Sequence, residues 1–157
     1  MALPELIAPI SVDLRAEESK LDIIKGLENV STMAKDEPLA ASVVVDIDQG
    51  EWMVKSAAGL ALPGVVPVAN TYPVLTGNTQ FDSLATGQLT ILIGGGFIYR
   101  TTKFVPGSYT VGQNLTVKDL GAGQRVPSAA GAGEPIVGRV YTAPDSEGVM
   151  EIEVLDR

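Results

Sequence analysis

The stretch Gln88-Leu-Thr-Ile-Leu-Ile93-Gly-Gly-Gly96-Phe97-Ile-Tyr-Arg-Thr-Thr-Lys-Phe104 decides the fold class. Leu89, Ile91 and Ile93 alternate with Thr90 and Leu92, and a strand sends alternate side chains to opposite faces. Beyond the glycines, Tyr99 and Thr101 fall on one face, with Ile98, Arg100 and Thr102 on the other. Gly94 to Gly96 supply the positive backbone angles of a tight turn. The stretch therefore reads as a β-hairpin, ended by the turn dipeptide Pro106-Gly107.

The same grammar extends in both directions. Upstream, Val43, Val45 and Ile47 alternate with Val44, Asp46 and Asp48 before Gly50 stops the run. Trp52 and Val54 then alternate with Met53 and Lys55, which predicts a second strand. Gly59–Tyr72 holds Pro63, Gly64 and Pro67 and reads as an irregular crossing or an edge segment. Downstream, Asn114–Lys118 and Ile136–Thr142 read as strands, and Gly121–Pro135 as a loop nearly free of bulky apolar residues. After a turn at Pro144–Gly148, Val149–Leu155 closes the chain with Met150, Ile152 and Val154 inward and Glu151 and Glu153 outward. Short strands at this spacing predict a mainly β chain, a small antiparallel barrel or sandwich.

Residues 1–48 differ in character. Pro4 and Pro9 make Met1–Pro9 read as an extended stretch. Within Ala16–Met33, Leu21, Ile24 and Leu27 form one helical stripe, and Ile23, Leu27 and Val30 a second. Gly26 interrupts both, at about 1 kcal/mol relative to alanine. A short amphipathic helix and an extended arm that orders on binding fit this stretch equally. The organisation expected is an N-terminal arm or attachment segment over 1–48 and a β domain over 49–157. Within the arm, Leu3, Leu6, Ile7, Ile10, Val12 and Leu14 are the expected protein-contact residues, because they are apolar and follow no globular pattern.

Composition narrows the chemistry. The 157 residues include neither cysteine nor histidine, which removes Ser–His and Cys–His nucleophiles and most zinc sites. Acidic residues outnumber basic ones 19 to 11, for a net charge of −8. With Arg100, Lys103, Lys118, Arg125 and Arg139 scattered, no nucleic-acid partner is expected. No signal-like N-terminus and no apolar run of spanning length is present, so a soluble protein with no membrane partner is expected.

Asp46, Asp48 and Glu51 around Gly50 lack the ligand positions of a calcium loop. The glycine clusters lack the Gly-Lys-Ser/Thr of a phosphate loop. The adjacent pairs Ser19-Lys20 and Lys55-Ser56 are not the spatial arrangement of a dyad. Trp52, Tyr72, Phe81, Tyr99, Phe104 and Tyr109 read first as core packing. No catalytic, cofactor-binding or metal residue is assigned, and a non-enzymatic role is expected.

An ordered string of features resembles the capsid decoration, or cement, proteins of tailed bacteriophages. Trp52-Met-Val-Lys55 precedes a Gly/Pro segment, and Thr86-Gly-Gln-Leu-Thr-Ile-Leu92 leads into Phe97-Ile-Tyr-Arg-Thr-Thr-Lys-Phe104. Tyr109-Thr-Val-Gly-Gln-Asn-Leu-Thr-Val117, Gly133-Glu-Pro-Ile-Val-Gly-Arg-Val140 and a final acidic strand follow. The likeness covers residues 50–157. It implies a virion protein, made in the host cytoplasm, that binds the exterior of an expanded icosahedral capsid and stabilises it. Its implied partners are the major capsid protein and further copies of itself, most often as a homotrimer. The alternatives are another virion part (a head fibre, neck or tail protein) and a carbohydrate-active enzyme on a small β scaffold.

Overall fold

The computed structural model describes residues 20–26, 33–77, 87–121 and 124–156. Eleven strands appear among them: β1 (Asp22–Lys25), β2 (Ala34–Pro38), β3 (Trp52–Ser56), β4 (Gly59–Ala61), β5 (Thr71–Thr76), β6 (Gln88–Leu92), β7 (Phe97–Thr101), β8 (Asn114–Val117), β9 (Pro127–Ala129), β10 (Gly138–Thr142) and β11 (Met150–Val154). They form two antiparallel sheets, ordered β1-β7-β11-β10-β8-β9 and β2-β6-β5-β3-β4. The chain is mainly β, as expected. Of the two predicted architectures it takes the sandwich-like one, with no closed barrel.

Alternation explains the layers. In the six-stranded sheet, Phe97, Tyr99 and Thr101 stand opposite Val154, Ile152 and Met150, and all six are buried. All but the polar Thr101 share one apolar cluster with Leu115, Val117, Val137 and Val140, and with Trp52 and Leu92 of the five-stranded sheet. The outer face of the six-stranded sheet is charged, with Arg100 placed 3.8 Å from Asp22 and 3.7 Å from Glu151. The five-stranded sheet is apolar on both faces. Its second face presents Met53, Leu60, Val74, Leu89 and Ile91, which cluster with Ala40, Val43 and Ile47. The segment 39–48 is thus a strap laid over that face, and burying these side chains removes apolar surface from water at roughly 25 cal/mol per Å².

That strap corrects one expectation. Val43–Asp48 is not a strand: Val43 and Ile47 are buried, Val44 and Val45 are exposed, and no ladder partner runs alongside. The strap crosses the sheet rather than extending it.

A second correction concerns the hairpin. Gln88–Leu92 and Phe97–Thr101 are both strands, yet they do not pair with each other. β6 lies between β2 and β5, whereas β7 lies between β1 and β11. The three glycines carry the chain from one sheet to the other. Ile93 N–H donates to the Met33 carbonyl (2.9 Å), and Gly96 N–H donates to the Val154 carbonyl (2.8 Å), so each end of the crossing is hydrogen-bonded. At Gly95, a Cβ would lie 2.3 Å from the backbone of Leu155 and Asp156. Gly95 is there because two backbones touch, whereas Gly96 is needed for its left-handed angle of φ +79.

The N-terminal expectations change as well. Asp22–Lys25 is a strand, with Asp22 opposite Arg100 and Ile23 opposite Tyr99. Gly26 follows at φ +86, a left-handed angle that ends a regular helix. Residues 1–19 and 27–32 lie outside the described residues. β1 and β2, which precede residue 48, pair with β7 and β6. Within the expected loop Gly121–Pro135, β9 is a short strand paired with β8 through small residues.

Other expectations hold. β3, β8, β10 and β11 lie where alternation placed them. The turn after β10 closes with Asp145 N–H donating to the Val149 carbonyl (3.0 Å) and Gly148 N–H to the Asp145 carbonyl (3.1 Å). β4 is an edge strand, as the Pro/Gly content of its region suggested.

Gly95→Ala tests the crossing. A methyl forced against fixed backbone should lower unfolding free energy by about 2 kcal/mol or more, measured by urea denaturation followed through Trp52 fluorescence. Unchanged stability would mean that the two backbones are not in contact.

Candidate interaction surface

The predicted contact residues Leu3, Leu6, Ile7, Ile10, Val12 and Leu14 lie outside the described residues. Their root does not. Lys20 is tied down by both backbone and side chain. Thr101 Oγ1–H donates to the Lys20 carbonyl oxygen (2.6 Å) and itself accepts from the Lys103 N–H (2.9 Å). Lys20 Nζ and Lys103 Nζ each sit 3.1 Å from Asp48 Oδ2. The Asp48 N–H donates to Glu51 Oε1 (2.8 Å), and Arg125 Nε–H donates to Glu51 Oε2 (2.6 Å). Arg125 Nη2–H reaches the Asp46 carbonyl (3.1 Å), while the Arg125 carbonyl accepts from the Trp52 N–H (2.8 Å).

This network shows what two of the acidic trio, Asp48 and Glu51, do, while Asp46 enters through its backbone carbonyl. Asp48 and Glu51 are held by lysine and arginine cations, so they are the anionic half of a clamp. Among the described residues, no group of three or more acidic, His or Cys side chains is placed to hold a metal. The glycine between them is required by the geometry: Gly50 has φ +89, and a Cβ there would lie 2.2 Å from the Lys20 carbonyl oxygen.

The remaining sequence candidates resolve into structure. Ser56 Oγ–H donates to the Gly59 carbonyl (2.6 Å) and closes the β3–β4 turn, while Lys55 pairs with Glu37 at 3.2 Å. Trp52 Nε1–H donates to the Tyr99 hydroxyl (3.1 Å) across the core. Burial there raises the Tyr99 phenol well above its usual range. Phe104 and Tyr109 pack edge-to-face with centroids 5.7 Å apart, and burial raises the Tyr109 phenol too. Phe81 and Ser19 lie outside the described residues.

The surface that sequence reading missed is an apolar patch. Val65 and Val66 are 74% and 72% exposed, and Leu62, Leu120 and Ile136 are exposed as well. Their loop is not loose. Pro63 is buried, and Gly64 offers its carbonyl to the Asp119 N–H (2.8 Å). Val68 offers its carbonyl to Thr71 Oγ1–H (2.8 Å). The Lys55 N–H donates to the Asn70 carbonyl (2.8 Å), and Asn70 Nδ2 returns a bond to the Lys55 carbonyl.

Beside Val65–Pro67 stands the loop Ala132–Pro135, and the two enclose a depression of about 280 Å³. Glu134 organises this second loop: Oε1 accepts from the Gly131 N–H (2.7 Å) and Oε2 from Lys118 Nζ (2.7 Å). The Lys118 bond, then the Gly131 bond, hold the Glu134 carboxyl below its ordinary value of 4.5. A signal for the patch was present in the sequence. No charged residue occurs between Lys55 and Asp82, or between Arg125 and Glu134.

No protein-family model, no curated protein and no solved structure matches the chain.

Gly50→Ala should destabilise the fold by about 2 kcal/mol or more, because it combines a left-handed backbone angle with a clash at the Lys20 carbonyl. Thermal unfolding of the variant checks this. For Glu134, a carboxyl titration by NMR should give a midpoint below 4.5, and Lys118→Met should move it upward. The sign follows from the depressed value: the order this carboxylate lends the 131–134 loop is complete above pH 4.5 and is lost as pH falls through the lowered midpoint.

Proposed function

We propose that this chain is a non-enzymatic virion protein that attaches to the exterior of an expanded icosahedral phage capsid and stabilises it. Met1–Leu14 grips the major capsid protein through Leu3, Leu6, Ile7, Ile10, Val12 and Leu14. The two-sheet body supplies bulk and stiffness.

The observation that carries this reading is the clamp at Lys20. A segment that captures a neighbour stabilises the neighbour only if its own root is fixed, since otherwise tension is spent in peeling the root away. Here the root is bonded through its carbonyl to Thr101 and through its ammonium to Asp48. From there Glu51 and Arg125 continue the connection to the backbone of Trp52 in the core.

The sheet edges support the same division of labour. β4 and β9 are three residues long, and β9 begins with Pro127. β2 carries Lys35, Asp36 and Glu37 and ends at Pro38, and β1 is short with a bulge. Short, charged, proline-bearing or bulged edges resist strand addition. The body is therefore a poor template for pairing, and main-chain capture is left to the extended segment. Such a segment gains main-chain hydrogen bonds by joining a neighbour's sheet edge, with alternate side chains in pockets. Its ordering entropy has to be offset by the surface it buries.

Deleting Met1–Leu14 tests the reading. Capsid binding, measured by co-sedimentation with purified particles, should fall by on the order of a hundredfold, as expected when a tethering contact is removed. The melting temperature of the variant is measured alongside, so that lost binding is told apart from lost folding. Unaltered binding overturns the role given to this segment. A copy number of a handful per particle, rather than hundreds, overturns decoration in favour of a neck or tail role.

A further inference from the structure

We infer that the N-terminal root is the latch of the strap: Lys20 holds Asp48–Gly50 down, and drawing Lys20 away lifts residues 40–48 off the apolar sheet face beneath them. The device belongs to the isolated chain and stands apart from the virion reading.

Stacked backbones form the joint. A Cβ at Gly50 would lie 2.2 Å from the Lys20 carbonyl oxygen, and one at Gly77 would lie 2.1 Å from the Ile47 carbonyl oxygen. The end of the strap is therefore gripped on two sides, by the root at Gly50 and by the residue after β5 at Ile47. Hydrogen bonds fasten it to β5: Gln49 Nε2–H donates to the Leu75 carbonyl (2.9 Å) and Gly50 N–H to the Val74 carbonyl (3.0 Å). From the other sheet, Lys20 and Lys103 each place an ammonium 3.1 Å from Asp48 Oδ2. Both lysines are positioned by the buried Thr101 at the end of β7, whose single hydroxyl bonds the Lys20 carbonyl and the Lys103 N–H. Residues 47–50 are thus where the strap meets both sheets.

Burial decides what the latch closes. Ala40, Val43 and Ile47 of the strap cover Met53, Leu60, Val74, Leu89 and Ile91. At its other end the strap is fastened by Leu39 N–H to the Gly87 carbonyl (2.7 Å) and by Ala40 N–H to the Leu60 carbonyl (2.9 Å). Between the two fastenings, Val44 and Val45 face solvent. Local opening of such a span breaks few buried contacts, so it lies below global unfolding in free energy.

The root is the part of the joint that an outside force reaches first. Lys20 stands just ahead of β1, a bulged, four-residue strand at the edge of its sheet. Drawing it off leaves the β7–β11 and β5–β6 ladders intact. By linkage the coupling runs both ways: whatever displaces the root favours the lifted strap, and a lifted strap loosens the root by the same free energy. The second apolar face is in this way kept covered by a residue from the opposite sheet.

Hydrogen exchange followed by mass spectrometry tests the latch on the full chain, comparing the parent with Lys20→Met. Peptides spanning 40–50 should exchange on the order of tenfold faster in the variant, an ordinary size for coupling between sites. Peptides spanning β10 and β11 should keep the parent rate. Lys20→Arg, which restores a cation beside Asp48, should return the strap to the parent rate. Lys55→Met serves as control, because it breaks another ion pair of the five-stranded sheet, with Glu37 at 3.2 Å, and should leave 40–50 unchanged. Unchanged exchange over 40–50 in Lys20→Met overturns the inference. Equal acceleration over 138–154 overturns it too, since that would be a general loss of stability rather than release of the strap.

Discussion

The hydrogen bond from Trp52 Nε1–H to the Tyr99 hydroxyl, 3.1 Å long and wholly enclosed, is the constraint on which the rest of the structure turns. Trp52 belongs to the five-stranded sheet and Tyr99 to the six-stranded one, and neither exposes any surface. Apolar contact alone is non-directional and would let two sheets slide past each other. A buried donor and acceptor are directional: leaving either unpaired costs about 1–3 kcal/mol. The bond therefore sets one position of one sheet over the other. Leu92, Phe97, Leu115 and Ile152 pack around it in that arrangement.

Everything around residues 46–52 is organised to deliver Trp52 to that place. Its own N–H is bonded to the Arg125 carbonyl, and Arg125 is held in turn by Glu51 and the Asp46 carbonyl. The neighbouring Asp48 reaches the N-terminal root through Lys20. One polar network consequently serves two ends. It aligns the tryptophan that joins the sheets, and it fixes the point from which the N-terminal segment departs. Partly buried ion pairs add little net stability, because desolvation offsets much of their attraction, but they do specify geometry. Specifying an exit point is the use proposed for them here.

Polarity is segregated over the exterior in the same spirit. Mixed charges line the outer face of the six-stranded sheet, and the strap over the other sheet hides a second apolar face that would otherwise be open to water. Exposed apolar side chains such as Val65 and Val66 sit on a loop pinned by buried Pro63 and by hydrogen bonds at Gly64 and Val68.

The alternation of Met150, Ile152 and Val154, of Leu115 and Val117, and of Trp52 and Val54 made the β class, these three strands and their inward faces legible from the chain alone. Period-two burial is a local property, so a local pattern records it. The N-terminal apolar residues were legible as a chemistry without a place. Pairing was not legible, because a strand's partner is chosen by whatever lies beside it in space. Gln88–Phe104 looks like a hairpin in one dimension, yet its Gly95 answers to Leu155 and Asp156 near the last described residues. Asp22–Lys25 carries helical spacing but becomes a strand because β7 has an open edge beside it. Val43–Ile47 alternates but lies flat, because an uncovered apolar sheet face attracts it more than any edge. The apolar loop surface was written only as missing charge, and its exposure depended on which loops the fold happened to bring together. Local sequence determined which residues could be strand and which side of each was apolar. Tertiary contact decided the neighbours, since burial and backbone pairing act between segments that no sequence window contains.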